Sequence, residues 1–458
     1  LIARRRIGTA IASGLVTEIV NKIVPFVVLH LAMKRLGIEA FGYGQYILAL
    51  VDFTNLAVIL GYQNYAAVAL ARFAGDREKM AAAISTFLLV KILHAFAVCL
   101  LLLSPLVSLP DGSMWILIIG VISSSLDLSP LMMVEKKLIH LNHASIIGKA
   151  VNLTGIWWLV HSADDANLVP LFAVIANSVV SCYSLIASAR AYPLGRTSFT
   201  HLRDFMIRSL PFLAPIGLFL ALDRIDILIL ERQFGLAEMG RYSASLRLVQ
   251  SAMPFVIMIS NVFYSEVLGQ TSNEADKKHF SLAFEAVTLM TTCLAAGIYL
   301  FADVAYALVY GAADPDAIAV LQILSSTVVS HGLYLVCVQQ VLYVKGLTRI
   351  VSISLALGIA FIVLAFYLQW IEDIRSMAYI SLAARFFCTA IVLAFAMREL
   401  KLFPNVQLRR VLIFGGILNI LVHWAWPLAW HVRLGCFVLF VGPWLLMRFR
   451  HLLSRNKN

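Results

Sequence analysis

Long apolar runs separated by short polar breaks recur along the whole chain. Windows of about 19 residues predict 14 spanning helices, at 8–33, 41–62, 80–105, 114–134, 144–162, 168–189, 205–231, 241–268, 279–303, 317–343, 350–370, 375–397, 411–430 and 432–448. Several are longer than the roughly 20 residues a bilayer requires, so tilts or kinks are expected. The pattern is that of an all-α polytopic membrane protein. Composition agrees: 61% hydrophobic, 13% charged and a mean hydropathy of +0.87 lie outside the range of soluble domains. The start, Ala3 to Arg6 followed by an apolar stretch, superficially resembles a signal peptide. That stretch carries Glu18, Asn21 and Lys22 and offers no small-residue cleavage site, so it is expected to be the first span.

Basic residues set the expected orientation. Of the 36 Lys and Arg, 23 fall at one set of ends and loops and 6 at the other, with 7 inside spans. The positive-inside rule then places both termini in the cytoplasm, which an even number of spans allows. The opposite loops are acidic where charged (Asp111, Asp164, Asp165, Asp303, Asp314, Asp316), and Trp115, Trp157, Trp158, Trp370, Trp424, Trp426 and Trp430 gather at those ends, as interfacial anchors do. The net charge of +11 is thus a property of the cytoplasmic face and needs no nucleic-acid partner. The six cysteines are widely spaced in apolar segments, neither a disulfide framework nor a metal-ligand set.

Two passages match at an offset of 198 residues. Gly37-Ile-Glu-Ala-Phe-Gly42 joins spans 1 and 2, and Gly235-Leu-Ala-Glu-Met-Gly240 joins spans 7 and 8. Six spans per copy, both starting on the cytoplasmic side, predict two parallel six-helix bundles with a site between them. The expected division is an N-terminal bundle at 1–198, a second bundle at 199–400, and two additional helices with a basic tail at 401–458.

Thirteen ionisable side chains lie inside the spans, seven basic and six acidic. A charge at bilayer depth costs about 3 kcal/mol by insertion scales, so this number implies a polar interior. Glu18, Asn21, Lys22 and Pro25 share one face of span 1, as do Gln45, Asp52 and Asn55 in span 2. Arg208, Pro211, Pro215 and Asp226 form a stripe on span 7, flanked by Asp223 and Arg224, and the prolines should kink it. Span 8 adds Ser243, Arg247, Gln250, Ser251 and Pro254. The candidate substrate-binding cations are Lys22, Arg224, Arg247, Arg208 and Lys149, because guanidinium and ammonium groups suit phosphate. The candidate coupling or ion-pair carboxylates are Glu18, Asp52, Asp223 and Asp226. The alternative for the pairs Glu18–Lys22 and Arg224 with Asp223 or Asp226 is that they are neutralising ion pairs that merely hold helices together. Ser123 to Ser125 and Asp127 in span 4 read at least as well as helix-packing groups. Lys91, Lys149 and Arg385 are lone cations, the first two near enough to the cytoplasmic side to snorkel.

The stretch Leu36-Gly-Ile-Glu-Ala-Phe-Gly-Tyr-Gly-Gln-Tyr46, with Asp223-Arg-Ile-Asp226 and Phe234 to Tyr242, resembles the Wzx-type oligosaccharide flippases of the multidrug/oligosaccharidyl-lipid/polysaccharide (MOP) exporter superfamily. The resemblance implies two six-helix bundles opening alternately to the two sides of a bacterial inner membrane. It also implies a substrate, an oligosaccharide repeat unit on undecaprenyl pyrophosphate, passing from the cytoplasmic to the periplasmic leaflet for polysaccharide biosynthesis. The partners so implied are that glycolipid, the bilayer and a polysaccharide polymerase machinery. No cofactor is expected beyond H+ or Na+ as coupling ion. Three other readings stand beside it. A cation-coupled multidrug exporter of the same superfamily would use Asp52 and Asp226, but Lys22, Arg224 and Arg247 are awkward for a cationic drug. A lipid II flippase would suit 14 spans, yet the arginine-rich first span of that group is missing here. An integral-membrane polysaccharide enzyme lacks support, since no catalytic set emerges; His161, Asp164 and Asp165 come nearest and read as a solvated loop.

Overall fold

The computed structural model describes residues 2–400 except 60–61, 63–65, 67–69, 71–72, 74–75, 106–108, 111, 135–137, 194, 196, 258–259, 261–272 and 312, with backbone alone at 2–23, 133, 138–139, 199, 210–212 and 273–279. The expected spans 13 and 14 lie outside the described residues, as do the side chains of Glu18 and Lys22. The described residues are mostly helical and contain no strand. The helices are α1 (Ile2–Ile59), α2 (Arg77–Leu102), α3 (Ser113–Leu126), α4 (Ser129–Val134), α5 (Leu138–Leu159), α6 (Leu168–Ala191) and α7 (Phe199–Gln250). They continue as α8 (Asn273–Leu300), α9 (Ala302–Tyr310), α10 (Pro315–Ser325), α11 (Thr327–Cys337), α12 (Thr348–Tyr367) and α13 (Ile374–Glu399). A π-helical stretch, Val338–Tyr343, continues α11. By length and composition, 7 segments among the described residues can each cross a membrane. Large apolar side chains face outward along them, including Leu93, Phe96, Ile122 and Leu364, and Trp115, Trp157, Trp158 and Trp370 are all more than half exposed. In water such a surface would aggregate; in lipid it is the expected one. The chain is a multi-pass membrane protein.

It divides into two compact units, Leu1–Gly240 and Arg241–Asn458. The division expected at 198 follows a sequence offset, whereas this boundary follows compactness. In the first unit α5 packs on α6 and on α1, and α3 packs on α6, α1 and α2. Gly148 brings α5 close to α6, since a methyl group there would strike the Ala176 carbonyl. In the second unit α13 packs on α12, α11 and α10, and α8 on α11. Small hydroxyl residues join those helices: Ser330 and Thr389 lie 2.9 Å apart, and the Cys388 thiol donates to the Ser354 carbonyl at 3.1 Å. This is the close, hydrogen-bonded packing that membrane helices favour.

The two longest helices each run across the junction of two expected spans, and each bends at one residue of that junction. Gly37 has φ 77° and ψ 175°, and Gly235 has φ 80° and ψ −178°. That region of φ/ψ space is open essentially to glycine alone. Nothing lies within 4 Å of where either Cβ would stand, so conformation, and not space, demands glycine at both positions. The sequence expects the bend in span 7 at Pro211 and Pro215; the non-helical φ/ψ in α7 falls at Gly235. The offset of 198 thus recurs in backbone geometry as well as in sequence.

Three of the cations that break the charge asymmetry have local uses. The Arg35 guanidinium donates to the Ile156, Trp157 and Val160 carbonyls at 3.1, 2.6 and 2.8 Å, capping the negative end of α5. Arg241 pairs with Asp314 at 2.9 Å, and Arg375 with Asp316 at 2.6 Å. At the opposite ends, Asp76 caps α2 by accepting the Lys79 N–H. The hydrogen bond from the Lys79 side chain, helped by that backbone bond, holds the exposed Asp76 carboxyl below its ordinary range.

Candidate functional site

In α1 the segment after Gly37 carries Asp52, and in α7 the segment before Gly235 carries Arg224. The structure pairs them, with Arg224 Nη2 and Asp52 Oδ2 at 2.7 Å. The guanidinium is 12% exposed and the carboxylate 34%. Among the described residues, Arg224 Nε and Nη1 are buried and have no hydrogen-bond acceptor. The pair is therefore engaged through one N–H, short of the bidentate fork that Arg–carboxylate pairs commonly form. Two donor nitrogens with three N–H groups between them are left over in a buried place, where an unmet donor is costly.

The other expected site residues are placed differently. Asp226 is fully buried and accepts the Ile227 N–H at 3.0 Å, while Asp223 is half-buried. Neither is the residue that closes on the Nη2 edge of Arg224. Arg208 is exposed, and Lys149 is half-buried on α5. Arg247 belongs to the second unit, where its charge acts on Tyr310, whose hydroxyl donates to the Ala244 carbonyl at 2.8 Å. Lys22 lies outside the described side chains.

A second polar locus lies within the first unit. A cavity of about 460 Å³ is lined by Asn55, Ser123, Ser124, Asp127, Asn142, Ser145, Asn177 and Ser181. One apolar cluster, with Ile47, Val51, Leu117 and Val174, and another, with Phe87, Leu131, Met132 and Leu141, both border it. Asn55 Oδ1 is buried there without a partner. Beside it the expected span 4 is not one helix. α3 ends at Leu126, Asp127 is extended with ψ 114°, and α4 starts at Ser129. Pro130 explains the break, because it has no N–H to give to the Leu126 carbonyl. The freed groups are met locally, as non-helical backbone at membrane depth requires. Leu128 N donates to Ser184 Oγ at 2.9 Å, Ser129 N to Asp127 Oδ1 at 2.9 Å, and Lys91 Nζ to the Asp127 carbonyl at 2.7 Å. Lys91 is fully buried, its ammonium 4.9 Å from the centre of the Phe87 ring. It does not snorkel; it caps the end of a broken helix.

Reading by spans overlooks most of this cavity. Its signal is present in the spacing: Asn142 and Ser145 are three residues apart, and Asn177 and Ser181 four, each pair on one face of an otherwise apolar helix. Gln339 and Gln340 are a second omission. Ser260 Oγ donates to Gln339 Oε1 at 2.7 Å, and Gln340 Nε2 to the Ser260 carbonyl at 3.3 Å, on the π-helical stretch of the second unit. Such stretches often mark functional positions.

With this geometry in hand, solved structures supply the comparison. The chain is similar to the lipid II flippase MurJ in an inward closed conformation, with a TM-score of 0.69 and 14% identity over 96% of this chain and 100% of that one. It is also similar to an inward-facing multidrug resistance MATE family transporter of the MOP superfamily, with a TM-score of 0.60 and 14% identity over 83% and 94%. A further MATE structure, that of a point mutant, gives 0.55 and 12% over 85% and 94%. The fold is that of these transporters. At such identities the likeness is one of fold, and it separates neither substrate nor subgroup. No family model matches the chain, and no curated protein does.

Proposed function

We propose that this protein is a flippase that moves an undecaprenyl-pyrophosphate-linked oligosaccharide repeat unit from the cytoplasmic to the periplasmic leaflet of a bacterial inner membrane. It acts by alternating access, as a transporter and not an enzyme, with both termini cytoplasmic and its product passed to polysaccharide polymerisation. The observation that carries the reading is the Arg224 guanidinium, buried in α7 with Nε and Nη1 lacking acceptors among the described residues. Diphosphate oxygens are the chemistry that such a fork fits. Lys22 and Arg247 are its partners in this reading, and Asp52, Asp226 or Glu18 the carboxylates through which H+ or Na+ couples transport. A multidrug exporter remains the second reading, favoured by the MATE-like fold. Drug efflux from a sensitised host, independent of glycan export, would select it.

The test is complementation of a flippase-deficient strain at matched membrane levels. Arg224→Ala should lower export at least about thirtyfold, the low end for truncating one partner of a buried charge pair. Arg224→Lys, which keeps the charge without the fork, should retain part of it. If Arg224 only neutralises Asp52, the double variant Asp52→Asn with Arg224→Gln should export normally, and that rescue would remove the phosphate-binding role. Orientation is tested separately. Reporter fusions after residues 200 and 405 should read as cytoplasmic, and those within 163–167 and 312–316 as external; a periplasmic signal at 200 would overturn the span assignment.

A further inference from the structure

The Asp52–Arg224 pair is lopsided in three ways. Only Nη2 of the guanidinium is engaged, at 2.7 Å, while Nε and Nη1 stay open. Asp52 is nearly three times as exposed as Arg224, so the carboxylate is the less enclosed partner and the freer of the two to move away. The positions one repeat away, Phe26 and Gln250, carry no charge, so the second copy has no equivalent pair. A cation meant only to hold two helices would be expected to use its fork in full.

We propose that Asp52 is a built-in competitor for the substrate's anionic headgroup. In the empty transporter its carboxylate occupies one edge of Arg224, and an arriving diphosphate takes the open edge and then displaces it. The buried guanidinium is thereby never left without a counter-charge, and only a ligand with more than one anionic oxygen gains enough to complete the exchange. The inference rests on the phosphate-binding reading of Arg224 given above, and it adds a role for Asp52 in setting selectivity.

Titration of the purified full-length protein with inorganic pyrophosphate, followed by calorimetry, separates the two. If Asp52 competes, Asp52→Asn should bind pyrophosphate about tenfold or more tightly than the unaltered chain, the low end for a close charge pair. Asp52→Glu should restore the weaker binding, and Asp52→Asn should narrow the preference for pyrophosphate over orthophosphate. Arg224→Ala should bind neither. Equal or weaker binding by Asp52→Asn, in a protein that still melts cooperatively, overturns the competitor role and leaves the phosphate reading standing. Failure of the unaltered chain and of Asp52→Asn alike to bind pyrophosphate overturns the phosphate reading, and the competitor role with it.

Discussion

Lys91→Met should lower the melting temperature of the detergent-solubilised protein by at least about 3 °C, the size expected for a loss of about 3 kcal/mol or more in a chain of this length. Methionine matches the lysine stem in length and apolarity, so the change removes charge more than volume. What is lost is specific. The Asp127 carbonyl, exposed by the break between α3 and α4, loses the ammonium that lies 2.7 Å away. The Asp127 carboxylate, whose charge acts on Lys91, is left beside the cavity without that cation. A half-buried carboxylate that loses a nearby positive charge is costlier than two uncharged residues in its place. Adding Asp127→Asn to Lys91→Met should therefore recover more than half of the loss, because the amide can still accept from Ser129 at its oxygen. A Lys91→Met protein as stable as the parent would mean that the ammonium is dispensable at the break.

Gly42→Ala and Gly240→Ala should each be poorly tolerated, although alanine is the better helix former. A methyl on Gly42 would run into the Leu236 carbonyl oxygen and stand 3.0 Å from the Gly240 Cα. A methyl on Gly240 would run into the Ile38 carbonyl oxygen and stand 3.1 Å from the Gly42 Cα. The obstacles are backbone atoms, which no rotamer change can move, so the segments after Gly37 and Gly235 must separate. Overpacking of this kind costs about 1–3 kcal/mol. Disulfide cross-linking of cysteines placed at Ile38 and Glu238 measures the separation. It should fall in both variants, and unchanged cross-linking in Gly42→Ala would show that the approach is looser than described.

The helices were legible because a bilayer makes one demand of every span, and apolar length meets it. Local punctuation was partly legible. The glycines at 37, 42, 235 and 240 stand out as a repeated pair, but their spacing does not tell a loop from a kink at one residue between two abutting helices. Pro130 was visible too, yet in an apolar window of about 20 residues one proline does not lower the hydropathy enough to divide the span. Charge partners were least legible. Neighbours in sequence offer Asp223 and Asp226 to Arg224, although residues one and two apart do not face each other on a helix. The partner that the structure supplies, Asp52, is on another helix altogether. Lys91 shows the same limit: nothing within its own helix announces the carbonyl at Asp127, because that acceptor exists only once α3 has ended.

The contact at Gly42 and Gly240 has a form of its own. Gly42 faces Leu236, and Gly240 faces Ile38, so each half of the contact is the other advanced by 198 residues. That is an isologous patch, the kind two identical subunits share across a two-fold axis. A symmetric dimer of that sort presents the same face twice and so receives a ligand with unlike ends in either of two equivalent orientations. Fusion into one chain lifts that degeneracy. The glycines at the axis are kept in both copies, while Asp52 and Arg224 have no charged counterparts at Gln250 and Phe26. The joint thus keeps its symmetry in the backbone while the charges beside it do not.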